Sequence, residues 1–106
     1  MICAEYYVPF VGYSQTSIHI IKMKSKAFQE YYPPQFSHCF GCGTDNAHGL
    51  HILSYWADEA AGETIATFTP SEEYTGGFPG FVYGGLIAAI LDCHGNATAS
   101  AAGYRH

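Results

Sequence analysis

The stretch GGFPGFVYGGLIAAILDCHGNATA, Gly76 to Ala99, decides the fold. Residues 70–82, which hold Pro70, Gly76, Gly77, Pro79 and Gly80, cannot propagate regular structure and read as a loop. From Gly84 to Ala102 no proline intervenes. Leu86, Ile87, Ala88, Ala89, Ile90, Leu91, Cys93, Ala97 and Ala99 spread apolar side chains round nearly the whole circumference of a helix. A helix apolar on every side is one that expects to be buried.

Working upstream, Leu50, Ile52, Ser54 and Trp56 alternate with His51, Leu53 and Tyr55, and Thr64, Ala66 and Phe68 alternate with Ile65 and Thr67. This period of two predicts strands over Leu50–Trp56 and Glu63–Thr69, joined by the polar turn Ala57–Gly62. Before them lies a Cys/His/Gly loop, Ser37 to Gly49, and before that residues 25–32 can form a helical turn or two stopped by Pro33-Pro34. Residues 1–22 are a Tyr/Ile-rich lead without a capping signal, read either as an upstream extension or as a short added strand; residues 23–106 form part of a single domain. The class is α+β. Two strands are too few to cover a buried helix, and the sequence stops at Gly103-Tyr104-Arg105-His106, so the expectation is that C-terminal strands are missing or that a partner supplies the cover.

Composition narrows the function. Nine acidic side chains stand against four basic ones, three of them crowded at Lys22, Lys24 and Lys26, which leaves no basic face to track a phosphate backbone and speaks against nucleic acid. The longest apolar run, Gly84 to Leu91, is far short of the ~20 residues that span a bilayer. Glu5, Ser14, Gln15 and His19 interrupt any secretory core, so a cytoplasmic setting is expected. In such a compartment the four cysteines (3, 39, 42 and 93) are expected to be reduced, with Cys93 acting as a small hydrophobe inside the helix.

Two constellations carry chemistry. The first is Gly84-Gly85 at the helix start with Asp92 in its middle. A carboxylate on an apolar helix is costly to bury ionised unless paired, protonated or used, and uncovered first-turn amides assisted by the helix dipole suit a developing oxyanion. The plainer readings are a hydrogen-bonded structural Asp and glycines that pack backbone against sheet. The second is His38, Cys39, Cys42, His48 and His51, which has the ligand types of tetrahedral zinc but only one Cys-x-x-Cys pair. Its reading here is loop chemistry with no metal, a zinc-binding interaction module being the alternative. Neither a GxGxxG nor a Gly-x-Ser-x-Gly motif is present, so the common nucleotide-binding and serine-hydrolase devices are excluded.

Cys39-Phe40-Gly41-Cys42-Gly43, Asn46-Ala47-His48-Gly49-Leu50, Phe68-Thr69-Pro70, Tyr74, Gly77-Phe78-Pro79-Gly80 and Val82-Tyr83-Gly84-Gly85-Leu86 with Leu91-Asp92 resemble PaaI-like hotdog-fold acyl-CoA thioesterases. The resemblance spans about Ser37 to Ala102. It implies a long central helix packed on an antiparallel sheet and an active site at a dimer interface. It also implies that the Gly84 N–H polarises a thioester carbonyl and that Asp92 acts as general base or nucleophile, without a cofactor. Tyr83, Gly85 and Gly77 are the implied substrate-binding positions, and Asn96 joins them through its four-residue offset from Asp92. Tyr83 stands where the family commonly has histidine, and Gly77 or Thr75 where a polar residue often orients water.

Helix geometry makes its own demand. Gly84 and Asp92 are eight residues apart, about 12 Å along one helix, so one chain cannot bring both to one carbonyl carbon. A two-fold pair of antiparallel helices would, which makes a homodimer or dimer of dimers the expected state. Asn96, four residues on, should lie beside Asp92; His94, two residues on, should not. The remaining alternative is a non-catalytic hotdog, or a fragment, that binds acyl thioesters without turnover.

Overall fold

A computed structural model describes residues 25–104 and the strand at Tyr6–Tyr7. Three strands, β1 (Tyr6–Tyr7), β2 (Ser54–Asp58) and β3 (Glu63–Phe68), form an antiparallel sheet in the order β1-β3-β2, and one helix, α1 (Gly84–Tyr104), packs on it. The chain is therefore α+β. The β2–β3 connection closes through Asp58, whose Oδ1 accepts the Ala61 N–H at 3.0 Å, and through Gly62 at φ 74°, a left-handed backbone that favours glycine. Ala57 is the extra residue of a bulge between Trp56 and Asp58, which lets the strand end twist into the turn.

The first predicted strand begins later than its alternation suggests, at Ser54 rather than Leu50. Leu50 and Ile52 give their N–H groups to the carbonyls of Phe40 (2.8 Å) and Gly41 (2.9 Å) in the cysteine loop, and His51 between them takes φ 53°. Alternation thus reports a real one-sided burial at residues 50–54, with Leu50, Ile52 and Ser54 inside, but at 50–52 the hydrogen-bonding partner is a loop. Residues 25–32 resolve to a 3-10 turn at Phe28–Tyr31, started where Glu30 Oε2 accepts the Ala27 N–H at 2.6 Å and ended before the two prolines. Within 70–82 the loop contains a 3-10 turn at Glu72–Tyr74 and a bridge between Thr75 and Val82. Of the 1–22 lead, Tyr6–Tyr7 pair with Phe68 and Thr67, and the remainder lies outside the described residues.

The helix runs two residues beyond its expected end. Its burial is one-sided within the described chain: Leu86, Ile90, Cys93 and Ala97 face inward and join Cys42, Leu50, Ile52 and Ala66 in the core. Gly84, Ile87, Ala88, Leu91, Asp92, Gly95, Asn96 and Ala99 face outward. No helix among the described residues is long and apolar enough to cross a membrane.

A buried polar chain ties three elements together. Ser54 N–H donates to Gln29 Oε1 (2.8 Å), Gln29 Nε2 donates to Ser54 Oγ (3.1 Å), and Ser54 Oγ lies 3.0 Å from His94 Nδ1. Ser54 Oγ thus has two nitrogen neighbours, the Gln29 amide that donates to it and His94 Nδ1, whose role as donor or acceptor follows the imidazole tautomer. Burial holds the His94 pKa below its ordinary 6.5.

Two outcomes follow for stability. Gln29→Ala should cost about 1–3 kcal/mol in denaturant unfolding, because it strands the buried Ser54 N–H. Unfolded His94 takes a proton near its ordinary 6.5 while the folded chain resists until lower pH. Its contribution is therefore complete above that value and is lost as pH falls through and below it. Thermal midpoints should drop on acidification across this window, and His94→Gln should flatten the slope.

Candidate functional site

The outward face of α1 carries the first constellation. Asp92 is ordered by Asn96, whose Nδ2 donates to Asp92 Oδ1 and to the Asp92 main-chain oxygen, both at 3.0 Å. This is the i, i+4 pairing that the spacing predicts. On the same side Ile87 and Leu91 remain 41% and 53% exposed, an unusual state for large aliphatics on a helix that packs a core. Gly84 opens the helix in free space, and its amide lies in the first turn, where no intrahelical carbonyl reaches it. Gly85 is covered differently: a side chain there would collide with the Tyr83 ring, which lies against the first turn while staying exposed. Gly77 sits exposed in open space in the preceding loop, and the Thr75 hydroxyl is occupied by the Phe78 carbonyl at 3.4 Å. Gly84 and Asp92 share one helix, so the described chain does not bring them together.

The inward face of the same helix holds a cluster that the sequence reading did not assemble. The sulfurs of Cys39, Cys42 and Cys93 all lie within 4.8 Å of one another, with Cys39 Sγ and Cys93 Sγ 3.9 Å apart. The 39–43 loop folds tightly back on itself, Gly43 N–H donating to Cys39 O at 2.8 Å and Asp45 N–H to Ser37 O at 2.9 Å. Glycine is required at two of its positions. A Cβ on Gly41 would fall on the Cys93 sulfur, and one on Gly43 would approach the Ser37 and Cys39 main chain to about 2.5 Å.

The three thiols are not equivalent. Cys39 is exposed, and the amides of Cys42 and then Gly41 hold its pKa down against the opposing effect of burial. Cys42 and Cys93 are buried, and desolvation pushes both thiols up, Cys93 strongly. Tyr32, also raised by burial, borders the same sulfurs. Asn46 organises the neighbouring histidine segment, holding the ring of His51 and the main chain of His38 and His48. His51 Nε2 meets the Asn46 carbonyl at 2.5 Å, Asn46 Nδ2 donates to His38 O at 3.1 Å, and His48 N–H donates to Asn46 Oδ1 at 3.0 Å. Among the described residues the cluster is made of cysteines alone.

Cys93 was legible only as an apolar helical position, since 54 residues separate it from Cys39 and no spacing rule spans that gap. Its place in line with Leu86, Ile90 and Ala97 was the available signal. The Ser54–His94 pair resembles a nucleophile with its base but is sealed: Ser54 has no exposed surface, and its third partner is an amide.

No family model matches the chain, and no curated protein or solved structure matches it.

Alkylation followed by mass mapping at neutral pH should label Cys39 well before Cys42 or Cys93; equal labelling would contradict the burial and polarity described. Gly41→Ala should lower the thermal midpoint because its methyl group displaces Cys93, whereas Gly77→Ala, which meets nothing within 4 Å, should leave packing intact.

Proposed function

We propose that the chain carries the half-site of a hotdog-type, PaaI-like acyl-CoA thioesterase that works as a homodimer or dimer of dimers in the cytoplasm, without cofactor or nucleic-acid partner. The observation that supports this reading most is Asp92: a carboxylate ordered by Asn96 on the outward face of α1, beside exposed Ile87 and Leu91. A covering surface is needed for those aliphatics, and a two-fold copy of the same helix face would provide it. Small residues at Ala88, Gly95 and Ala99 would let the two backbones approach closely.

In such a pair the Gly84 N–H donates to the thioester carbonyl oxygen as it gains negative charge. Asp92 of the partner subunit takes a proton from the attacking water, and the tetrahedral intermediate collapses with release of the CoA thiolate. Phe78 and Phe81, in edge contact at 6.5 Å and both exposed, would lie with Ile87 and Leu91 along the acyl chain. A second reading, binding of acyl thioesters without turnover, is favoured by Tyr83, whose ring lies over Gly85 where the family commonly has histidine.

The test is CoA release from a series of acyl-CoA esters. Asp92→Asn should lower kcat/KM by at least about 100-fold. Gly84→Pro removes only the N–H at a first-turn position where proline is tolerated, and it should cost about 100- to 1000-fold in kcat. Randomly paired Asp92→Asn and Gly84→Pro chains should regain roughly a quarter of the native rate, since half the dimers are mixed and each holds one intact site of two. Unchanged turnover in Asp92→Asn would overturn the assignment. Tight acyl-CoA binding with no release by the native protein would favour the second reading.

A further inference from the structure

We infer that Cys39, Cys42 and Cys93 form a three-thiolate site for a thiophilic divalent cation of the zinc type, with water in the fourth coordination position. This site is separate from the proposed thioester half-site and stands whether or not that reading holds.

Distance carries the inference. Four ligands at the usual zinc–sulfur length of about 2.3 Å place neighbouring sulfurs about 3.8 Å apart, the edge of the tetrahedron. Cys39 Sγ and Cys93 Sγ stand at 3.9 Å, and every pair lies within 4.8 Å, so closure onto one ion requires small side-chain adjustments and no backbone rearrangement. A disulfide fits less well. It would have to close the 3.9 Å gap to about 2.05 Å and would leave Cys42 as an odd thiol in the same pocket.

The surroundings are those of a site built around sulfur. Cys39-x-x-Cys42-Gly43 is a closed turn in which the amides of Gly41 and Cys42 face the Cys39 sulfur, donors that offset the negative charge of a thiolate-rich centre. Gly41 has no side chain where one would strike Cys93, so the turn seats directly against the helix. The third ligand comes from the middle of a 21-residue helix and is held on both sides by core residues. Three thiolates with no carboxylate or imidazole among them select zinc or another soft ion over magnesium or calcium. Cys39 is exposed, which gives water a path to the fourth position. Metal binding releases the thiol protons and leaves a site of net charge −1 under the hydrogen-bonding amides. Its mechanical effect is to fasten the 39–43 loop to α1, one residue from Asp92.

The experiment uses the full chain, prepared metal-free under reducing conditions and titrated with Co(II) and then Zn(II). One cobalt per chain is expected, with a sulfur-to-cobalt charge-transfer band and the intense visible bands of a tetrahedral ion, both bleached by zinc. Zinc should also raise the thermal midpoint. Cys39→Ser alters an exposed position and should stay folded by circular dichroism while weakening zinc at least about 100-fold, more than loss of an outer hydrogen-bond partner does. Cys39→His should retain cobalt with a weaker charge-transfer band, and Cys3→Ser should bind like the native chain. Absence of the charge-transfer band in the folded native protein would overturn the inference. So would native affinity in Cys39→Ser, a Cys3→Ser loss equal to that of Cys39→Ser, or a Cys39–Cys93 disulfide that persists in reductant without metal.

Discussion

Burial of one face of α1 is the constraint on which the rest depends. Leu86, Ile90, Cys93 and Ala97 recur at helical spacing on the buried face, and the first three meet Ala66 from the sheet, Cys42 from the cysteine loop, and Leu50 and Ile52 from the segment that joins the loop to the sheet. Removing that apolar surface from water supplies the largest favourable term available to so short a chain. Each other element is placed by it. The 39–43 loop must lie flat enough to touch Cys93, which requires glycine at position 41, and residues 50–52 must hydrogen-bond to that loop instead of extending the strand.

The same helix presents two chemically different faces. Inward, the sulfurs of Cys42 and Cys93 and the His94 imidazole sit in surroundings where charge is disfavoured unless a cation or a donor compensates, while Cys39 reaches the same cluster from the exposed edge. Outward, Asp92 is exposed to solvent and held by Asn96 among exposed aliphatics. The proposed hydrolase half-site uses the outward face and the inferred thiolate site the inward one. They meet at consecutive residues, Asp92 and Cys93, so fixing the helix against the loop also fixes the orientation of the carboxylate.

Within the candidate sites, legibility followed sequence distance. The Asp92–Asn96 contact was readable because four residues on a helix place two side chains side by side. The Cys39-x-x-Cys42 turn was readable as a loop because Gly41 and Gly43 punctuate it. The membership of Cys93 was not, nor was the Gln29–Ser54–His94 chain, since both join residues 25 or more positions apart. His38, His48 and His51 looked like ligands by type, but among the described residues the group within ligand distance is Cys39, Cys42 and Cys93, and the His51 ring meets the Asn46 carbonyl instead.

By itself the sequence determined the α+β class, the hairpin, the glycine loop and the long helix, because local periodicity and turn chemistry act between near neighbours. It also determined that Gly84 and Asp92 cannot serve one carbonyl from one chain, which follows from helical rise alone. Only the tertiary structure decided which side of the helix is buried, since periodicity chooses a face poorly when apolar residues spread round nearly the whole circumference. That choice turned Cys93 inward to meet Cys39 and Cys42 and left Asp92 outside. A rotation of one residue about the helix axis separates a sulfur cluster from a solvated carboxylate, and packing against the sheet sets that rotation.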